Sequence, residues 1–112
     1  MNDDKRLNRL YGAIKPTTAN DCKNALFSLG RMVATAGVHK HLVSHDIDPR
    51  PYLRRHACGD WGDVPPEDAQ SNELAVIYGH RILSSYQIHR EQVWIITEAD
   101  RSSTTFLFPK EY

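Results

Sequence analysis

A chain of 112 residues has room for one hydrophobic core, and 40% hydrophobic with 25% charged residues is a globular mixture rather than a disordered one. Fourteen Lys and Arg balance fourteen Asp and Glu, so the composition lacks the basic excess of proteins that bind by neutralising many phosphates. No stretch reaches the ~18–20 apolar residues of a membrane span and no export-type apolar run follows Met1, which predicts a cytoplasmic protein, away from membranes, with Cys22 and Cys58 reduced.

Residues 1–25 read as an extension. Leu7, Leu10, Tyr11 and Ile14 recur at helical spacing and predict a short amphipathic helix ending at Pro16. Residues 26–112 read as a single α+β domain. An apolar run closed by Gly37 predicts a strand over Arg31–Thr35. Val38, Leu42 and Val43 then form a helical stripe that ends near Asp46. Asp48 and Pro49 start a second helix, with Tyr52 and Leu53 inward and a stop near Gly59. Residues 59–64 carry the glycines and aspartates of a loop. Pro65, Pro66, Glu67 and Asp68 open a third helix, for which Leu74, Ile77 and Tyr78 are the expected buried stripe and Gly79 the stop.

Beyond Arg81 the period changes to that of strands. Ile82–Ile88 alternates, residues 89–92 make a turn, Val93–Thr97 is β-branched and aromatic, and Thr104–Phe108 follows a second polar turn. The expected architecture is a layer of helices on one face of a three- to four-stranded antiparallel sheet, with the early strand as the fourth.

Three polar stretches carry candidate chemistry. His39, Lys40, His41 and His45 lie on one helix, with His41 and His45 a turn apart as in helix-borne metal sites, but no further ligand completes a set; a solvated face is expected, and no metal or cofactor. The second runs from Arg54 to Asp63. Its structural reading has Cys58 as a small buried residue, Asp60 and Asp63 on loop amides and Trp61 plugging the core edge; a His56–Cys58 nucleophilic pair is the weaker alternative. The third, Thr97–Thr105, reads equally as an anion-binding turn around Arg101 and as a hairpin capped by Asp100 and Ser102.

The wording of these stretches, Arg55-His56-Ala57-Cys58-Gly59-Asp60-Trp61-Gly62-Asp63, Arg81–Tyr86, Trp94–Thr105 and Pro109-Lys110-Glu111-Tyr112, resembles a family of small proteins carried on plasmids, integrative elements and phages and often labelled plasmid-related proteins. The resemblance runs from about Phe27 to Tyr112 and implies a mobile-element setting, with no activity to carry over. Some members are labelled modification subunits of type I restriction systems. That label does not suit this chain, which lacks the Gly-rich strand–helix turn and the length of an adenine methyltransferase domain.

Two functions compete on this reading. The first is an inhibitor that binds a protein or RNA of the host or of a rival element, as anti-restriction and anti-CRISPR proteins do, through aromatic anchors such as Tyr11, Trp61 and Tyr112. Its expected binding residues are Arg55, Asp60, Trp61, Asp63, Arg81, Arg101, Ser102, Ser103 and Thr104. The alternative is a metal-independent endoribonuclease of the barnase, EndoU, colicin or RelE kind. There His56 or His80 would act as base and acid, while Arg101 and Thr104 hold the phosphate. Both functions require the 55–63 loop and the 98–105 turn to meet.

Overall fold

The computed structural model describes residues 24–112. The readings of the extension and of Tyr11 lie outside the described residues.

Thr35 starts the first helix, α1 (Ala36–Ser44), where its hydroxyl accepts the Val38 amide hydrogen at 3.2 Å. Val38 and Leu42 face the core, but Val43 is exposed: it sits about 100° round the helix from Leu42. Helix α2 (Arg50–Ala57) follows Pro49, with the Arg50 amide donating to Asp48 at 3.0 Å. Leu53 is buried and Tyr52 half-buried against the core. Helix α3 (Pro66–Tyr78) carries Glu67 and Asp68 in its first turn and ends at Gly79, whose φ of 76° is left-handed.

The inward face of α3 corrects the expectation. Asn72 and Ala75 are buried and Ala69 and Val76 pack beside them, whereas Leu74, Ile77 and Tyr78 are 48%, 70% and 68% exposed. The cause is how the helix meets the sheet. Strand β2 (Ile82–Ile88) has a free edge, and the Asn72 amide pairs with it as a neighbouring strand would. Its Nδ2 donates to the Leu83 carbonyl at 2.8 Å, and its Oδ1 accepts the Leu83 amide at 3.1 Å. A close approach through small residues and one amide leaves the large apolar side chains outside.

Strands β2, β3 (Glu91–Thr97) and β4 (Ser103–Leu107) form the expected antiparallel meander. The early strand β1 (Arg31–Ala34) joins as the fourth, parallel to β4, in the order β1-β4-β3-β2. The domain is α+β. The β2–β3 turn is tighter than expected, because only His89 and Arg90 lie outside the strands, at φ 48° and 70°. Two left-handed residues are what a two-residue turn between right-twisted strands requires.

One core cluster contains Val38, Leu42, Leu53, Tyr86, Ile88, Val93, Ile95 and Phe106; Phe27, Trp61, Ala75 and Ile82 form a second. Each large apolar side chain so buried contributes about 1.5–3 kcal/mol. The β2 edge is covered further along by the 60–63 loop, where the Ser85 amide donates to the Trp61 carbonyl at 3.0 Å and the Asp63 amide to the Ser85 carbonyl at 2.6 Å. Gly62 lies against this edge at φ 74°, and a Cβ there would overlap the Ser85 carbonyl and the Tyr86 ring. Among the described residues, no helix is long and apolar enough to cross a membrane.

Candidate functional site

The two polar stretches meet, and the ring of Phe27 lies between them. Trp61 stacks on it at 6.3 Å between centroids, His56 meets it edge-on at 5.2 Å, and the Arg101 guanidinium lies 5.4 Å from its centre. What has gathered there is mostly buried. His56, Ser84, Thr97 and Thr104 are each 0% exposed and linked in one chain of hydrogen bonds.

The direction of that chain follows from its last acceptor. Thr104 Oγ1 donates to the Leu29 carbonyl at 2.7 Å, which uses its only hydrogen, so Thr97 Oγ1 donates to Thr104 at 2.7 Å. Thr97 then has only lone pairs left, and His56 Nε2–H donates to it at 2.9 Å. The Nδ1 lone pair of the neutral imidazole accepts from Ser84 Oγ at 2.6 Å. Burial, with a smaller contribution from the Arg101 charge, pushes the His56 pKa down to about 3. The serine-to-imidazole contact has the polarity of an activated nucleophile. With both groups out of solvent, it holds helix α2 to the sheet instead.

The remaining expected residues also serve the local framework. Arg101 Nη1 donates to the His80 carbonyl at 2.6 Å and its Nη2 to the Ala75 carbonyl at 2.9 Å, so the guanidinium closes the C-terminal end of α3. The His80 ring is exposed. Arg55 Nε donates to Asp60 Oδ2 at 2.6 Å, with its guanidinium 4.4 Å from the Tyr86 ring centre. Asp60 Oδ1 accepts the Gly62 amide at 3.2 Å, and the Tyr86 hydroxyl donates to the Asp60 carbonyl. Trp61 is buried, which agrees with its reading as a plug at the core edge and not with that of an interface anchor, and its Nε1 donates to Glu73 at 3.0 Å. Asp63 accepts from Gln92 rather than from a loop amide, at 3.3 Å. The Ser102 amide donates to Asp100 at 2.9 Å, which is the capped-hairpin arrangement; Ser102 is exposed and Ser103 half-buried.

Cys58 is half-buried and disulfide-bonded, which corrects the expectation of a reduced, buried thiol. His56 points both ring nitrogens at hydroxyls, so the His56–Cys58 pair does not form. Arg81 stands at the surface, bonded to Glu98 at 3.1 Å and to the Tyr112 hydroxyl at 2.6 Å. Tyr112 is exposed, as expected, and its ring meets Trp94 edge-on.

At the far end of β2 lies a group that the sequence reading left incomplete. His41 and His45 are joined by His89 from the hairpin: ring centroids are 3.7 Å apart for His45–His89, 4.9 Å for His41–His45 and 6.0 Å for His41–His89. His41 is anchored through Nε2 to the Ile88 carbonyl at 2.9 Å. The rings of His41 and His45 border a cleft of about 560 Å³ between α1 and the C-terminal turn (Pro109–Glu111), and His89 stacks on His45 from outside its lining. No group of three or more His, Cys, Asp or Glu among the described residues is arranged to hold a metal ion.

No family model, curated protein or solved structure matches this chain.

Proposed function

We propose that the protein acts by binding a macromolecule of the host or of a rival element, as an anti-restriction or anti-CRISPR type of inhibitor does, and not by cleaving RNA. One observation carries this reading: Leu74, Ile77 and Tyr78 form an apolar stripe along α3, at the i, i+3 and i+4 positions of one helix face, that no other described residue buries. Exposed apolar residues gathered on one face mark interaction surfaces, whereas singly scattered ones do not. Arg81 and Tyr112, of the residue types that anchor interfaces, follow three residues beyond the helix and at the end of the chain. The mobile-element setting comes from the family resemblance alone.

The ribonuclease alternative has less support. A base must reach the 2′-hydroxyl, and His56 is enclosed with its basicity suppressed. Arg101 is held by backbone carbonyls. The test is capture from bacterial lysate by the wild type and by a Leu74→Ser/Ile77→Ser variant whose helical circular dichroism is unchanged. A partner taken by the wild type and reduced at least ~10-fold in the variant is expected, since losing two central anchors costs over ~1.4 kcal/mol. Equal capture by both proteins, or RNA cleavage by the wild type in EDTA, sinks the reading.

A further inference from the structure

We propose that the cleft between α1 and the C-terminal turn is an anion site that takes a phosphate group, and that it fills as the His45 imidazole on its wall gains a proton. This site is separate from the α3 stripe. The stripe ends where β2 begins and the cleft lies where β2 ends, about 23 Å along a seven-residue strand.

Three observations support the site. First, in a chain whose charges cancel, the cleft lining gathers Lys40, Lys110, His41 and His45 against the single carboxylate of Glu91. Nearby Glu111 is committed elsewhere, accepting the Thr35 hydroxyl and the Phe108 amide, both at 2.8 Å. Second, α1 and the hairpin press their imidazoles together, with His45 and His89 stacked at 3.7 Å and Arg90 next in the chain. Two protonated rings at that separation repel strongly, and an anion beside them removes the penalty. The titration of His45 is displaced accordingly: partial desolvation and then repulsion by His89 and His41 hold it below the ordinary range. Third, His89 and Arg90 occupy left-handed backbone positions where Asn and Gly are usual, so the turn holds an imidazole and a guanidinium at some conformational cost.

The cleft is large enough for more than a bare ion, and the Phe108 ring among its walls offers a flat face for an organic phosphate. Free phosphate and a phosphomonoester share the chemistry, so both serve as probes. A metal ion competes with protons for the same nitrogens, so its affinity moves with pH in the opposite direction.

The experiment is a histidine-resolved NMR titration of the full chain with inorganic phosphate and, separately, with adenosine 5′-monophosphate, at pH 5.5 and 7.5. Saturable shifts of the His45 and His89 signals are expected. Affinity for the monoanion should tighten by up to about tenfold per pH unit for each proton the protein takes up with it, once the second ionisation of the phosphate near pH ~6 is included. Lys110→Gln and Lys40→Gln, both at exposed positions on the cleft, should each weaken binding several-fold with the fold intact. If only the nucleotide binds, the natural ligand is an organic phosphate; if both bind equally, the anion alone is read. No saturable shift with either compound, affinity that does not tighten on acidification, or affinity unchanged in both variants overturns the proposal. Saturable Zn²⁺ binding that strengthens with pH, in place of anion binding, overturns it too.

Discussion

His56 in α2 and His45 at the end of α1 are the same residue type, tied to the same β2 strand at different points, and the protein uses them in opposite ways. Ser84, which holds His56, and Ile88, whose carbonyl anchors the cleft through His41, are about 13 Å apart along β2. At the first position the ring is sealed, both nitrogens are occupied, and protonation would put an unpaired charge in the core. At the second the rings face solvent and each other, and protonation costs only partial desolvation and mutual repulsion. Both environments lower the pKa, one through burial that makes the group structural, the other through crowding that leaves it responsive. A perturbed histidine therefore marks a functional site only when solvent can reach it.

The largest test of that contrast is substitution. His56→Ala removes the middle of a satisfied buried chain, leaving Ser84 and Thr97 without their partner and opening a cavity. Destabilisation of about 3–5 kcal/mol is expected in urea melts. His89→Ala, on the exposed turn, should cost no more than about 1 kcal/mol, most of it from placing Ala at a left-handed φ. Similar values for the two would end the distinction.

Acid should produce the next largest effect. His56 takes a proton with a pKa of about 3 when folded and near 6.5 when unfolded, so the unfolded chain binds the proton more readily between those values. Stability from the neutral ring is complete above pH 6.5 and is lost as the pH falls toward 3. The full difference is on the order of 5 kcal/mol, and most of it should be visible between pH 6.5 and 4. A His56→Gln variant should show a flatter stability profile over that interval. A wild-type profile as flat as the variant's would mean that His56 is solvated in solution.

The order of elements is legible because it rests on local chemistry: Asp48 and Pro49 at a helix start, Gly79 at a stop, and the two-residue alternation of Ile82–Ile88. The face of α3 is not. Periodicity favours the large apolar set Leu74, Ile77 and Tyr78, and only the Asn72 amide pair on the β2 edge explains why Ala75 faces inward instead. Long-range pairing of that kind leaves no trace in the spacing of one segment. The chemistry of the 55–63 loop and the 98–105 turn points to their meeting, but Phe27, which lies between them, looks in the sequence like one more residue of an apolar run. Arg101 looked like a free cation beside hydroxyls because its partners are carbonyls, and every residue has a carbonyl. The histidine cluster was half visible: His41 and His45 share a helix, while His89 lies 44 residues beyond His45 and only the fold joins them.

The smallest expected effect tests that join most directly. His89→Gln keeps the turn polar but removes one of the two charges that hold the His45 titration down. The His45 pKa should then rise toward the ordinary imidazole value near 6.5, with desolvation and His41 still opposing a full return. A two-dimensional carbon–proton titration of the histidine rings measures it without unfolding the protein. Because His45 lies at the surface, screening matters: added salt should raise the wild-type value and narrow its gap from the variant, since exposed charges act over a Debye length of about 8 Å at physiological ionic strength. A His45 curve that is unchanged by the substitution would mean that the two rings do not sense each other's charge, and the pairing of α1 with the hairpin would then be one of shape alone.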